Sequence, residues 1–378
     1  MMPTAPETER IPAVPQHDKK TLRGHDENVY IVAGDEFFVM SVTIKDVARE
    51  ARVSVATVSR ALNGHDSVTR ATREHVGAIA KRLRYVPHAA ARSLITRRTE
   101  TLGVVLPDLY GEFFSELIRG IDGAAREHGL HLLVSSSHGS ASETGAALRA
   151  LSGRVDGILI MSPHAAQTHL ADDLPTTTPV VLMNTRSQDD HYLSLAIDNH
   201  AGAWTMVDHL VAAGYQRIAL INGPTENFDA QERLRGYRDA LDHFAKGSSP
   251  QVLDGDFSEE SGYRAGVAIA SIRPRPDAVF AANDMMALGC LRAVAEAGLR
   301  VPRDIAVAGF DDIPIARFVV PGLTTMRVNI AELGGRAARA LIACIGNPQG
   351  AQMHQVLAPE LVVRGSTRDR GQPHEDSS

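Results

Sequence analysis

The stretch Thr43–Leu94 constrains this chain more than any other. Ile44, Val47, Ala48 and Ala51 recur at helical spacing until Arg52-Val53-Ser54 interrupts them, and a second short helix starts at Val55. Thr43 and Ser54 stand where N-caps are wanted, with hydroxyls able to accept from the free amides of the following turn. Two short capped helices around a tight break make a helix-turn-helix pattern.

Burial assigns faces to the second helix. Val58 and Leu62 can pack inward with Val53, leaving Val55, Ala56, Thr57, Ser59 and Arg60 outward. A helix presenting its first residues and an arginine one turn later suits the major groove, whose base edges carry a readable donor and acceptor code. Arg60 can pair with guanine, and Val55 and Ala56 can pack on thymine methyls. The same pattern describes a small three-helix domain that binds protein, so the pattern alone leaves both readings open.

The following residues favour DNA. A third amphipathic helix, capped by Thr69, carries Val76, Ile79, Ala80 and Leu83 inward, and Pro87 stops it. His88-Ala89-Ala90-Ala91-Arg92-Ser93-Leu94 is then a very short helical candidate, marginal alone in water because nucleation is costly. Two copies packed through alanines from two subunits can fold in a minor groove. Leu94 would then be the apolar wedge that bends the DNA. The expected DNA-contacting set is Thr43, Ser54, Val55, Ala56, Thr57, Ser59, Arg60, Asn63, Thr72, Ala91 and Leu94.

Thr43-Ile44-Lys45-Asp46-Val47-Ala48, Val53 to Asn63, Tyr85-Val86-Pro87 and Ala91-Arg92-Ser93-Leu94 closely resemble the lactose/galactose repressor (LacI/GalR) family of bacterial transcription regulators. The resemblance runs from about residue 41 to about 368 and is most specific in these motifs. It departs at His88, where many members carry asparagine before the hinge helix. Carried over, the Val55-Ala56-Arg60 combination implies half-sites meeting at a central C·G step kinked by Leu94.

Charge distribution agrees with a DNA-binding end. The 378-residue chain has a formal charge of −6, yet residues 41–98 hold twelve Lys/Arg against four Asp/Glu, a net +8 that leaves about −14 for the rest. A basic module on an acidic body fits phosphate contacts confined to one end. Cys290 and Cys344 lie in apolar helical contexts and suggest no disulfide framework. No apolar run approaches a membrane span and no signal-peptide shape appears, so a cytoplasmic protein with no membrane partner is expected. Residues 1–40 carry Pro3, Pro6, Pro12 and Pro15 without sustained periodicity. They are expected to be disordered or upstream of a natural start at Met40.

After the headpiece (41–86) and hinge (87–98) the texture changes to short apolar runs alternating with amphipathic segments: Leu102–Leu106, Leu130–Val134, Asp156–Met161, Val180–Met183, Arg217–Ile221, Ala278–Ala281 and Ile305–Gly309. Strand alternating with helix means parallel sheets covered on both faces. Two such units suggest two similar subdomains. The fold class is therefore an all-α helix-turn-helix headpiece with hinge helix, followed by a two-lobed α/β core. The resemblance implies that this core is periplasmic-binding-protein-like and that the chain crosses between lobes three times. The first lobe is placed at about 101–199 plus 327–352, the second at about 200–326 plus 353–368, and a disordered tail at 369–378.

Ligands of parallel sheets bind at the strands' carboxyl ends, which face a shared cleft in a two-lobed protein. Polar and aromatic residues after predicted strands are the candidates: Asp108 with Phe113 and Phe114, Asn184, Arg186, Asp229, Arg233, Phe257, Asn283 and Asp311. Carboxylates, amides and an arginine bind paired hydroxyls, and a flat aromatic covers the apolar face of a sugar. The duller readings are that Asp312 only turns the chain, that Asn283 or Asp284 is an N-cap, and that Phe114 is core. Arg235 and Arg238 look like solvated or ion-paired helix positions. The resemblance favours Arg233, Asn283 and Asp311 as effector contacts. Glu112 stands where members often have proline, and Val328 where some sugar-responsive members have a polar contact.

A regulator that binds a DNA operator as a homodimer, with a small-molecule effector of the sugar class shifting its affinity, is the expected function. One headpiece reads too short a half-site, so a pseudo-palindromic operator and a dimer follow, and no heptad after residue 368 suggests a tetramer. A solute-binding protein without a regulatory role is the alternative, and the headpiece counts against it. No Gly-rich phosphate loop, metal-spaced His/Cys cluster or nucleophile elbow supports an enzyme, and no cofactor or metal is expected.

Overall fold

The computed structural model describes residues 42–85, 98–162, 174, 178–184, 192–244, 249–346 and 354–367. The expectations for residues 1–40, the hinge helix and the tail lie outside these. The chain divides into two compact units, Met1–Thr96 and Arg97–Ser378.

The first unit contains α1 (Ile44–Ala51), α2 (Val55–Leu62) and α3 (Arg70–Arg82). Val47, Ala48, Ala51, Val58, Ala61, Val76, Ile79 and Ala80 form its core, with Val53, Leu62 and Leu83 half-buried against it. Ser54 Oγ accepts the Thr57 N–H at 3.1 Å, and Thr69 Oγ1 accepts that of Thr72 at 3.3 Å. Thr43 caps α1 as expected, as one half of a capping box with Asp46: the Thr43 N–H donates to Asp46 Oδ2 at 2.9 Å, and the Thr43 hydroxyl donates to the same oxygen at 2.7 Å. A hydroxyl donates through its hydrogen and accepts on its lone pairs, so the bond to the carboxylate leaves the capping role in place. Arg52 ends α1 in the left-handed conformation, φ 54°, which turns the chain towards α2.

The second unit holds two six-stranded sheets. The first is built from β1 (Thr101–Leu106), β2 (His131–Ser136), β3 (Gly157–Met161), β4 (Val180–Met183), β5 (Leu193–Ile197) and, much later in the chain, β11 (His354–Leu357), in the order β11-β5-β4-β3-β1-β2. The second is built from β6 (Ile218–Asn222), β7 (Gln251–Asp254), β8 (Ala278–Ala281), β9 (Ala306–Asp311), β10 (Thr324–Arg327) and β12 (Glu360–Val362), in the order β12-β10-β9-β8-β6-β7. Every pairing is parallel except β10 with β12.

The apolar runs are continuous because both faces of each strand are covered. In the first sheet Leu102, Val104, Leu106, Leu159, Met161, Val181 and Met183 join the large core. The alternate residues Val105, Ile158, Ile160, Val180 and Leu182 pack on the other face with Leu148 and Leu151 of α5 (Ala141–Leu151). Period-two alternation thus assigns one run to two cores. Helices α4 (Glu112–Glu127) and α10 (Ile330–Gly346) pack together on the large-core side. In the second lobe α6 (Asn199–Ala212) packs on α7 (Phe228–Phe244), and α8 (Glu259–Ser271) on α9 (Asp284–Glu296).

The crossings correct the expected lobe boundaries. Asn199 and Arg327 belong to elements of the second lobe, and His354–Leu357 pairs with β5 in the first sheet. The last crossing therefore follows Leu357 instead of preceding residue 353. The sequence around β11 is too short and half-exposed to announce itself as a strand, and only pairing with β5 assigns its lobe.

Close packing of α4 on α10 requires glycine at position 120, where a Cβ would collide with the Ala331 carbonyl group. Gly120→Ala should therefore lower unfolding free energy by about 1–3 kcal/mol, read by denaturant titration. An unchanged midpoint would show that the helices separate without cost.

Candidate functional site

On the first unit the outward face of α2 carries Val55, Ala56 and Arg60, all exposed, with Thr57 and Ser59 half-buried beside them. Thr43, Ser54 and Asn63 are exposed at the helix ends, and Thr72 is half-buried in the first turn of α3. Arg60 has no carboxylate partner among the described residues, whereas Arg49, Arg70 and Arg82 pair with Asp46, Glu74 and Glu50. An exposed arginine without a partner is free to bond a ligand of opposite or acceptor character. Ala91 and Leu94 lie outside the described residues.

On the second unit a cleft with about 470 Å³ of empty space opens between the strand ends of the two sheets. Its walls differ in kind. The first lobe contributes Pro107, Phe113, Phe114 and Met161, an apolar side, and the second contributes Asn227, Asp229, Arg233, Phe257, Asn283 and Asp311. Phe113 and Phe114 meet edge to face, with centroids 5.4 Å apart.

Arg233 centres the polar side, buried at 4% exposure. Its Nε donates to Asn199 Oδ1 at 2.7 Å, Nη1 donates to the Ala282 carbonyl, and Nη2 meets Asp311 Oδ1 at 3.3 Å. Its flat face lies over the Phe310 ring, 3.9 Å from the centroid. Asp229 accepts Asn199 Nδ2 at 2.8 Å on one oxygen and Asn184 Nδ2 at 3.4 Å on the other. Asn283 Oδ1 caps α9 by accepting the Met286 N–H at 3.0 Å, while its Nδ2 donates to the Phe257 carbonyl at 3.0 Å. It is both cap and cleft wall, so the two readings of this residue coexist. Asn184, Phe257 and Asp311 hold φ of 44°, 71° and 111°, conformations that side-chain-bearing residues rarely adopt and that cluster where a site needs a set geometry.

Burial pushes Asp229 up to about 6, opposed by the nearby Arg233 and the two asparagine bonds. The same cause pushes Asp311 up to about 7, against the pull of Arg233. These two carboxyls face one guanidinium, an arrangement suited to hydroxyl donors.

The structure brings Phe113, Asp229, Arg233, Phe257, Asn283 and Asp311 together in one lining. Asn184 stands one bond behind it, and its buried Oδ1 has no partner among the described residues. Asp108 does not join the lining, since its Oδ1 accepts the Leu109 and Tyr110 amides at 2.6 and 3.1 Å and stays exposed. Arg186 lies outside the described residues. Asp312 pairs instead with Arg327 at 2.8 Å and Arg364 at 2.6 Å, the structural role allowed for it. Val328 is buried. Asn199 and Asn227 were missed: Asn199 follows β5, whose short Leu-Ser-Leu-Ala-Ile run gives little signal, and Asn227 precedes a helix without following a strand directly.

Residues 43–88 match the family described as bacterial regulatory proteins, lacI family, and residues 207–367 match a periplasmic binding protein-like domain. The HTH-type transcriptional repressor CytR of Escherichia coli strain K12 is 34% identical over 330 residues, 87% of this chain and 97% of that protein. This chain belongs to the lacI family. A crystal structure of the lac repressor dimer bound to operator and the anti-inducer ONPF superposes with TM-score 0.79 at 31% identity, covering 87% of this chain and all of that one. The complex of the transcriptional regulator CelR with cellobiose gives TM-score 0.64 at 34% identity, covering 86% and 99%. Membership places the chain among DNA-binding transcription regulators and not among enzymes. Among the described residues no helix is long and apolar enough to cross a membrane.

Asp229 and Asp311 hold protons when folded at pH values where the unfolded chain, near 3.8, has released them. Their contribution therefore favours folding more as pH falls from about 7 towards 4, and is lost as pH rises through the folded values. Asp311→Asn should reduce the difference in Tm of the second unit between about pH 5 and about pH 8, measured by calorimetry. An unaltered difference would place that titration elsewhere.

Proposed function

We propose that this chain is a cytoplasmic, homodimeric repressor that binds a pseudo-palindromic operator, its affinity modulated by a sugar or sugar derivative held between the lobes. The observation that carries the reading is the pairing, in one chain, of a free Arg60 on an outward helix face with a cleft floored by Arg233, Asp229 and Asp311. A solute-binding protein would have use for the second alone.

The headpiece supplies the DNA chemistry. Arg60 reads guanine while Val55 and Ala56 lie against thymine methyls, and the hinge residues Ala91 and Leu94 enter the minor groove. Dimerisation doubles the sequence read, and the adjacent exposed Phe318 (69%) and Val320 (97%) offer apolar surface to a second copy. In the cleft, ligand hydroxyls donate to Asp311 and Asp229, and Phe113 and Phe257 cover the apolar ring face. Coupling needs only that ligand and operator prefer different lobe arrangements.

Fluorescence anisotropy on a pseudo-palindromic site near the chain's own gene, with and without a panel of sugars, tests the reading. Arg60→Ala should cost about 1–3 kcal/mol on the matched site and relax specificity at one base pair. Equal loss on every sequence would reduce Arg60 to a phosphate contact. Asp311→Ala should abolish the ligand response with operator affinity intact, and an unchanged response would remove Asp311 from the ligand site.

A further inference from the structure

Glu112, the residue that departs from the family's common proline, starts α4 after the loop 107–111 that leaves β1. Its Oε2 accepts the backbone N–H of Ile315 at 2.9 Å. Ile315 lies in the 3-10 turn Pro314–Arg317, shortly beyond Asp311, so this bond joins the first lobe to the second. Two residues before Glu112, Tyr110 Oη donates to Glu259 Oε1 at 2.7 Å. Glu259 begins α8, again in the second lobe. One short segment thus reaches across the cleft mouth to two separate elements, and the same segment carries the cleft residues Pro107 and Phe113.

Both bonds use protein atoms alone and engage a carboxylate, which makes each stronger than a neutral pair. The Ile315 amide is in the first turn of a helix, where an N–H has no partner within the helix and needs one from outside. Proline at position 112 would have no acceptor to offer it. We propose that Tyr110 and Glu112 form a two-point clasp that favours this arrangement of the lobes by the chain's own bonds, so that an effector bound in this arrangement supplies less of the free energy that holds it. Such pre-organisation raises ligand affinity by raising the population of the binding-competent state. That consequence rests on the reading of the cleft as the effector site, whereas the clasp itself does not.

Hydrogen exchange of the full chain without added ligand tests it. In Glu112→Ala, the segment containing Ile315 should exchange faster by on the order of tenfold, and Phe257–Ser261 at the other attachment should accelerate with it, while β1 and β9 keep their protection. Glu112→Gln retains an acceptor oxygen and should recover most of the protection, which a role limited to negative charge at a helix start would not allow. Tyr110→Phe should accelerate Phe257–Ser261 and leave α4 unchanged. Exchange at Ile315 unaltered by Glu112→Ala, or acceleration confined to that one segment, would overturn the clasp. Neither outcome touches the operator and sugar titrations, so failure here is separable from failure of the functional reading.

Discussion

The buried guanidinium of Arg233 is the interaction on which the cleft depends. Removing an arginine from water is expensive, and here the cost is offset by a carboxylate, a carbonyl, an amide oxygen and an aromatic face arranged around one planar fork. Those partners come from α6, the end of β8 and the end of β9, so one side chain of α7 ties the second lobe's strand ends to its helices. Loss of Arg233 would leave Asp311 and Asp229 buried without their cation, a larger penalty than the missing bonds alone. Lysine would not substitute, since a point charge cannot meet all four partners at once.

The asymmetry of the cleft follows from this network. Polar groups gather on the second lobe, where Arg233 and the asparagines can satisfy them, and the first lobe turns Phe113, Phe114 and Met161 towards the same space. The lobes are joined by chain crossings and by the contacts of the β1–α4 loop, Tyr110 with Glu259 and Glu112 with Ile315.

Legibility in the sequence varied with how local the cause was. The headpiece is readable because its three helices announce themselves by caps and 3.6-residue spacing, and the structure adds Asp46 as the other half of the Thr43 capping box. The strands with long apolar runs were also readable, and residues after them supplied most of the cleft lining. Asn199 and Asn227 escaped because β5 is short and because a cap can precede a helix with no strand to flag it. Asp108 stands apart from the cleft lining, as a carboxylate after a strand can equally bond the amides of its own turn.

The sequence by itself determined the helix-turn-helix pattern, the alternating α/β architecture, the family and the residue types available to the cleft. All of these rest on spacing, capping and hydrophobic periodicity, which act over a few residues. Tertiary structure alone decided which lobe owns β11, which polar side chains converge on Arg233, and that Glu112 reaches Ile315. These depend on contacts between residues tens to hundreds of positions apart, where burial and partner geometry, not local preference, select the outcome.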